Sequence, residues 1–239
     1  MENANNNLEA LRRNIYPGRG IVLGLNKSGS KAVQIYWLMG RSENSRNRIL
    51  IEHNGTVRTA PFDETKVKDS SLIIYTAMLV SKGGVHIVSN GDHTETIVSF
   101  LDQGKTFEEA VRSRTFEPDI PNFTPRIAGI TKIGNGAEYK LSITRRGERN
   151  EPVHEFFPIV LSPGTGFCIH TYEGDGTPIQ SFKKAPFPVP IGETADEIIR
   201  TYWEVLNPEN RVAIVVKIID LKTANVEHRI ENKLTSYAK

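Results

Sequence analysis

A single cysteine in 239 residues, Cys168, rules out a disulfide within the chain and a zinc or iron–sulfur site built from cysteines. Charge of one sign is equally scarce. Thirty Lys and Arg face 28 Asp and Glu, leaving +2, so the basic excess of duplex-binding domains is missing and nucleic acid is not the expected partner. Long apolar runs are missing too: the strongest, Leu72 to Val80, is interrupted by Thr76 and falls far short of the roughly 20 residues that cross a bilayer. Met1 to Asn14 is rich in Asn and has no apolar leader core. Neither export nor membrane insertion is therefore expected, and a reducing cytoplasm fits. The six histidines give no H-E-x-x-H or other compact ligand spacing, and no G-x-S-x-G elbow occurs. The expectation is no metal and no cofactor.

What remains is an ordinary globular composition, 38% hydrophobic and 24% charged, with 19 Gly and 13 Pro as punctuation. The Asn-rich start reads as a flexible extension over residues 1–15, and residues 16–239 as one domain. From Tyr16, β-type runs follow quickly: Ile21 to Leu25, Ala32 to Met39, Ile49 to Glu52, Thr56 to Ala60, Leu72 to Val80 and Val85 to Ser89. Asn54-Gly55 and Lys82-Gly83-Gly84 mark hairpin turns. Helical spacing takes over at Thr94 to Asp102 and Thr106 to Arg114, where Thr106 and Glu109 form a capping-box pattern. Strands resume at Arg126 to Ile133, Tyr139 to Thr144, Val153 to Leu161 and Phe167 to Tyr172. A last helix is signed by Thr194 and Glu197 and stopped at Asn207-Pro208, ahead of strands Val212 to Ile219 and Val226 to Ile230. Strands and helices come in blocks, which predicts an α+β fold on largely antiparallel sheets.

Three polar clusters stand out. Gly40 to Arg48 holds Arg41, Ser42, Arg46 and Arg48 between two β runs; guanidinium forks suit phosphate or carboxylate, against the bland reading of a solvated loop. Ser89 to Thr94, with Asn90, Gly91, Asp92 and His93, runs from a strand into a helix start, where anions are favoured, although Asp92 or Thr94 serving simply as an N-cap accounts for it as well. Glu117-Pro118-Asp119 and Asn122 to Arg126 lead back from helix to strand with two carboxylates and an arginine, and their prolines also fit a plain rigid loop. Gly24 to Lys31 imitates a phosphate loop, but Ser30 stands where its lysine belongs and a β run follows, so a hairpin turn is the reading. Cys168 lies in an apolar run and reads as core.

The order Tyr16-Pro17-Gly18-Arg19-Gly20, Gly40 to Arg48, Ser71-Leu72-Ile73-Ile74-Tyr75, Ser89 to Thr94 and Asn122 to Ile127 resembles the archaeal-type IMP cyclohydrolase family. The resemblance is strong from Tyr16 to Ile130 and looser beyond, where Ile169-His170-Thr171-Tyr172 and the final helix and strands suit longer bacterial members. The extension before Tyr16 departs from the compact pattern. The resemblance implies a four-layer α-β-β-α sandwich of the N-terminal-nucleophile hydrolase type, used without an N-terminal nucleophile. It further implies ring closure of 5-formamidoimidazole-4-carboxamide ribonucleotide to inosine monophosphate with loss of water, at the end of purine synthesis, and a homo-oligomer, dimer or tetramer.

In that reaction a carboxamide nitrogen attacks a formyl carbon of the same molecule, so orientation removes much of the barrier. The formyl oxygen needs a donor and the amide proton an acceptor. Arg41 is the expected donor, and Tyr75 with Glu117 or Asp119 the expected proton-transfer groups. Arg19, Ser42, Arg48, Asn90, Gly91, Asp92, His93, Thr124 and Arg126 are expected to hold the purine ribonucleotide. Two rivals remain: an amidohydrolase of another nucleotide-like substrate on the same scaffold, and a nucleotide-binding module without turnover.

Overall fold

Runs such as Lys31–Met39 and Arg211–Asp220 are apolar almost without interruption, and a strand reads that way when both of its faces are covered. In the computed structural model, which describes residues 2–67, 73–134 and 136–236, these two strands pair at the heart of a six-stranded sheet. The elements in chain order are α1 (Glu2–Arg13), β1 (Gly20–Leu25), β2 (Lys31–Met39), α2 (Glu43–Arg46), β3 (Arg48–His53), β4 (Thr56–Pro61), β5 (Thr76–Val80) and β6 (His86–Ser89). Then come α3 (His93–Asp102), α4 (Phe107–Arg112), β7 (Arg126–Lys132), β8 (Glu138–Arg146), β9 (Pro152–Pro158) and β10 (Thr165–His170). The chain continues with β11 (Phe187–Pro190), α5 (Ala195–Val205), β12 (Arg211–Asp220), β13 (Val226–Asn232) and α6 (Lys233–Ser236).

The fold is α+β. One sheet runs β11-β10-β1-β2-β12-β13 and the other β3-β4-β5-β6-β7-β8-β9, with every strand pairing among the described residues antiparallel. Alternation along β2 sends Val33, Ile35, Trp37 and Met39 into a core cluster with Leu8 and Leu11 of α1 and Ile198, Tyr202 and Val205 of α5. Tyr36 and Leu38 turn the other way, into a cluster that joins Ile21, Leu23 and Val215 to Leu50, Met78, Val88, Ile127 and Leu141 of the second sheet. A third cluster brings Ile97, Phe107, Ala110 and Val111 of α3 and α4 against Ile87, Ala128 and Ile130.

Residues 2–13 correct the expectation of a flexible extension over 1–15, because they form α1. Ala4, Leu8 and Leu11 make an apolar stripe one helical turn apart and are buried against β11 and α5. Each buried leucine contributes roughly 1.5–3 kcal/mol relative to exposure, enough to offset the weak helix preference of four asparagines.

Turn chemistry works as predicted at Asn54-Gly55, whose φ values of 49° and 78° close the β3–β4 hairpin. The Thr106–Glu109 capping box is complete. At α5 only half of the pattern forms: Thr194 Oγ1 accepts from the Glu197 amide, while the Glu197 carboxylate accepts from Glu193 N and from Lys27. The strand expected over Leu72 to Val80 begins at Thr76, with Ser71 and Leu72 outside the described residues. No described helix is long and apolar enough to cross a membrane.

Candidate active site

Antiparallel pairing gathers the starts of β1, β3, β5 and β7 and the ends of β2, β6 and β10 at one end of the two sheets. The predicted site residues converge there. Gly18 sits at φ +77°, where a Cβ would stand 2.2 Å from Thr171 Oγ1, and it delivers Arg19 to the start of β1. The Arg19 amide donates to Thr171 Oγ1 at 3.1 Å and its carbonyl accepts from Thr171 N at 2.9 Å, while its buried Nε has no protein partner. Burial opposes the Arg19 charge, but the Glu117 carboxylate and the Tyr75, Tyr172 and Tyr16 hydroxyls outweigh it and hold the guanidinium protonated.

Arg48, at 1% exposure, opens β3. Its Nε donates to Ser45 O at 2.7 Å and Nη2 to Met39 O at 3.2 Å, leaving Nη1 unpartnered. Burial, and then the charge of Arg19, lowers its pKa below the arginine norm. Two buried cations thus act on each other's charge with donors to spare. Beside them the Tyr36 and Tyr75 hydroxyls are 2.6 Å apart, and burial pushes the Tyr36 phenol well up. Tyr75 precedes β5 rather than lying within it, and its amide donates to Thr59 Oγ1 at 2.9 Å.

Glu117 is 2% exposed. Burial pushes its carboxyl up to about 7 against the pull of Arg19, Arg126 and Arg48, so near neutrality it exists in both protonation states. Asp119 is spent differently: its carboxylate accepts from Thr124 N at 2.6 Å and from Thr124 Oγ1, which also meets the Tyr172 hydroxyl. Of the two expected acids, Asp119 is thus engaged by Thr124 and Glu117 is the more deeply buried. Gly91 lies against this acid, since a Cβ there would stand 2.8 Å from Arg126 Nη1 and 3.2 Å from Glu117 Oε1.

The remaining expected binders are largely committed within the protein. Arg126 donates to Asp92 Oδ1 at 2.6 Å, to Thr115 O at 2.8 Å and to His93 Nδ1 at 3.3 Å. Burial, then Arg126, pulls the His93 pKa down to about 3, so its neutral ring accepts from Arg126 at Nδ1 and donates through Nε2 to Ile127 O. Asp92 holds the N-cap position of α3 without a side-chain capping bond; its carboxylate pairs with Arg126 and Arg114 instead. Asn90 bridges β6 to β7, donating to Pro125 O at 2.9 Å and accepting from Ile127 N at 2.8 Å.

Arg41 and Ser42 lie at the rim, exposed. Arg41 sits 4.9 Å from the Tyr16 ring centroid and donates to Asp175 Oδ1 at 2.6 Å; Ser42 closes a capping box with Ser45 at the start of α2. Tyr16 stacks on Tyr172 with centroids 5.9 Å apart. Tyr16, Tyr36 and Tyr172 were not among the expected site residues. Their signal was a tyrosine inside a motif segment or an apolar run, which reads as core until neighbouring strands place its hydroxyl.

The sequence matches the family described as IMP cyclohydrolase-like protein over residues 16–224. The chain belongs to this family. A protein of Haloarcula marismortui named IMP cyclohydrolase is 31% identical over 123 residues, 50% of this chain and 56% of that relative. One of Methanosphaera stadtmanae with the same name is 26% identical over 163 residues, 66% of this chain and 74% of that relative. The match to the Haloarcula protein thus spans little more than half of its length. Family membership starts at Tyr16, so α1 precedes the region that defines the family.

Proposed function

We propose that this chain is an IMP cyclohydrolase, closing 5-formamidoimidazole-4-carboxamide ribonucleotide to inosine monophosphate and water. The observation that carries the reading is the buried group of Arg19 and Arg48, each with an N–H left over, beside Tyr75 and a glutamic acid poised near pH 7. Family membership and two relatives of that name support it.

In this reading the free N–H groups of Arg19 and Arg48 bind electron-rich oxygens of the substrate and fix the rotamer in which carboxamide nitrogen and formyl carbon meet. Ionised Glu117 takes a proton from the carboxamide nitrogen as the C–N bond forms. Arg41, swung from Asp175 over the Tyr16 ring, donates to the formyl oxygen as it gains charge. Protonated Glu117, relayed by Tyr75, returns that proton to the oxygen to give a hydroxyl. The former formamido N–H then gives up its proton to the same relay and on to the hydroxyl, and as the C=N bond forms the C–O bond breaks and water leaves. Gly91, His93 and Arg126 brace the carboxyl from the opposite side, and Asn90, Asp92 and Thr124 hold the turns that carry them.

The same reading takes the three core clusters as a four-layer α-β-β-α sandwich of the N-terminal-nucleophile hydrolase type, a single domain working in the cytoplasm as a homo-oligomer. The test is turnover: purified protein with the formylated ribonucleotide, following the hypoxanthine ring in the ultraviolet. Formation well above the uncatalysed rate is expected. Background rate with inosine monophosphate still bound would overturn the enzyme in favour of a binding module.

A further inference from the structure

A second set of unsatisfied polar atoms lies between the sheets at the end away from Arg19 and Arg48. Lys217 of β12 pairs in register with Gln34 of β2 on one side and His228 of β13 on the other. The three share one rung and one face of the six-stranded sheet, the face of Tyr36 and Val215 that meets the second sheet. Across the gap, Gln34 Nε2 donates to His86 O at 3.2 Å and Thr131 Oγ1 at 3.0 Å. Lys217 and Gln34 are fully buried and His86 is 6% exposed. Lys217 Nζ, Gln34 Oε1, His86 Nδ1 and His228 Nε2 all lack a hydrogen-bond partner.

Of these four atoms Lys217 Nζ and the two ring nitrogens can donate to one common partner, and each costs on the order of 1–3 kcal/mol when left unsatisfied. The chemistry of the set selects it. Lys217 brings a positive charge, and no described carboxylate pairs with it. Glu52, whose charge acts on His228, is exposed and accepts from the Gly55 amide at 2.6 Å. The ammonium repels a metal ion, and neutral imidazoles offer N–H donors. A dianion would leave one charge uncompensated, whereas a monovalent anion neutralises the ammonium.

We propose that Lys217, His86 and His228 form an internal binding site for one small monovalent anion of the chloride or formate class, which ties the two sheets together. Gln34 contributes through Nε2, whose bonds to His86 O and Thr131 Oγ1 hold the second sheet against this rung. Burial alone lowers Lys217 to about 8, and it holds His86 and His228 near 4, the neighbouring Lys217 charge adding to the effect, so at neutral pH the lysine is charged and both rings are neutral donors. The site is separate from the proposed cyclisation and stands whether or not that reading holds.

The probe is sodium chloride, compared at equal ionic strength with sodium gluconate, whose anion is too large to enter. The expected result for the full chain is a saturable rise in Tm in chloride, roughly 5–10 °C at a hundredfold excess over Kd, with no such rise in Lys217→Met. Where the variant does not fold, Lys217 is titrated in the wild-type protein by side-chain NMR: chloride is expected to raise its pKa, an anion favouring the charged form. Equal Tm in the two salts with an unmoved Lys217 titration would overturn the site and leave only trapped water. A chloride response that survives in Lys217→Met would overturn it as well, by putting the ion elsewhere.

Discussion

Cations are buried at both ends of the layer between the two sheets, but among the described residues only one end holds a buried acid. At the first, Arg19 and Arg48 face Glu117, the carboxyl rises to about 7 and Arg19 stays charged. At the other, Lys217 has two histidines for neighbours, falls to about 8 and holds them near 4. The same low-dielectric layer thus raises an acid beside two guanidiniums at one end and lowers a lysine beside two histidines at the other. One carboxylate makes the difference.

Removing that carboxylate is the sharpest way to break the comparison. Glu117→Gln keeps the shape and removes the titration, and kcat is expected to fall by about 10²–10⁴ with product affinity nearly unchanged. In the wild-type enzyme kcat/KM should drop with falling pH from near 7 as the base is protonated, and the variant should lose this inflection. A kcat within tenfold of wild type, or an inflection that survives in Glu117→Gln, would transfer the role to another group.

A smaller effect separates Tyr75 from its support. Tyr36→Phe removes the hydroxyl 2.6 Å from Tyr75 without opening a cavity, so the Tyr75 phenol loses one neutral hydrogen bond. A net bond of that kind is worth on the order of 1 kcal/mol, giving an expected loss of about five- to tenfold in kcat at constant KM. A change in KM alone would mean that Tyr36 acts on binding rather than on Tyr75.

How much of this was legible in the sequence depended on whether the signal was local. The nearly continuous apolar runs of β2 and β12, the Asn54-Gly55 hairpin and the Thr106–Glu109 box each reside in a few adjacent residues, and each formed. Helix α1 was hidden because its asparagines mask a three-residue stripe that acquires meaning only against β11. At the site, the order of motifs led to Arg19, Arg48, Tyr75, Glu117 and Arg126, but Glu117 and Asp119 were indistinguishable. Burial is what distinguishes them, and burial is a property of the assembled sheets. Lys217 was invisible for the same reason: a lysine within Val212 to Ile219 reads as an outward-facing residue until β13 and the second sheet cover it.

The finest test sets the two ends against each other through stability. Between about pH 4.5 and 7 the folded state binds a proton at Glu117 that the unfolded chain does not, so acidification through this window stabilises the fold. His86 and His228 do the reverse: between about 6.5 and 4 the unfolded chain takes protons that the folded state refuses, so the same acidification destabilises it, and buried His93 and His170 add to that side. One fully coupled group changes stability by at most about 1.4 kcal/mol per pH unit, and here several histidines oppose one carboxyl. Wild-type stability should therefore fall as pH drops from 6.5 to 4.5. Glu117→Gln should steepen that fall by removing the single compensating proton, and His86→Phe should flatten it. Denaturant midpoints across this range check both signs, and parallel curves for the three proteins would mean that neither end titrates as its burial requires.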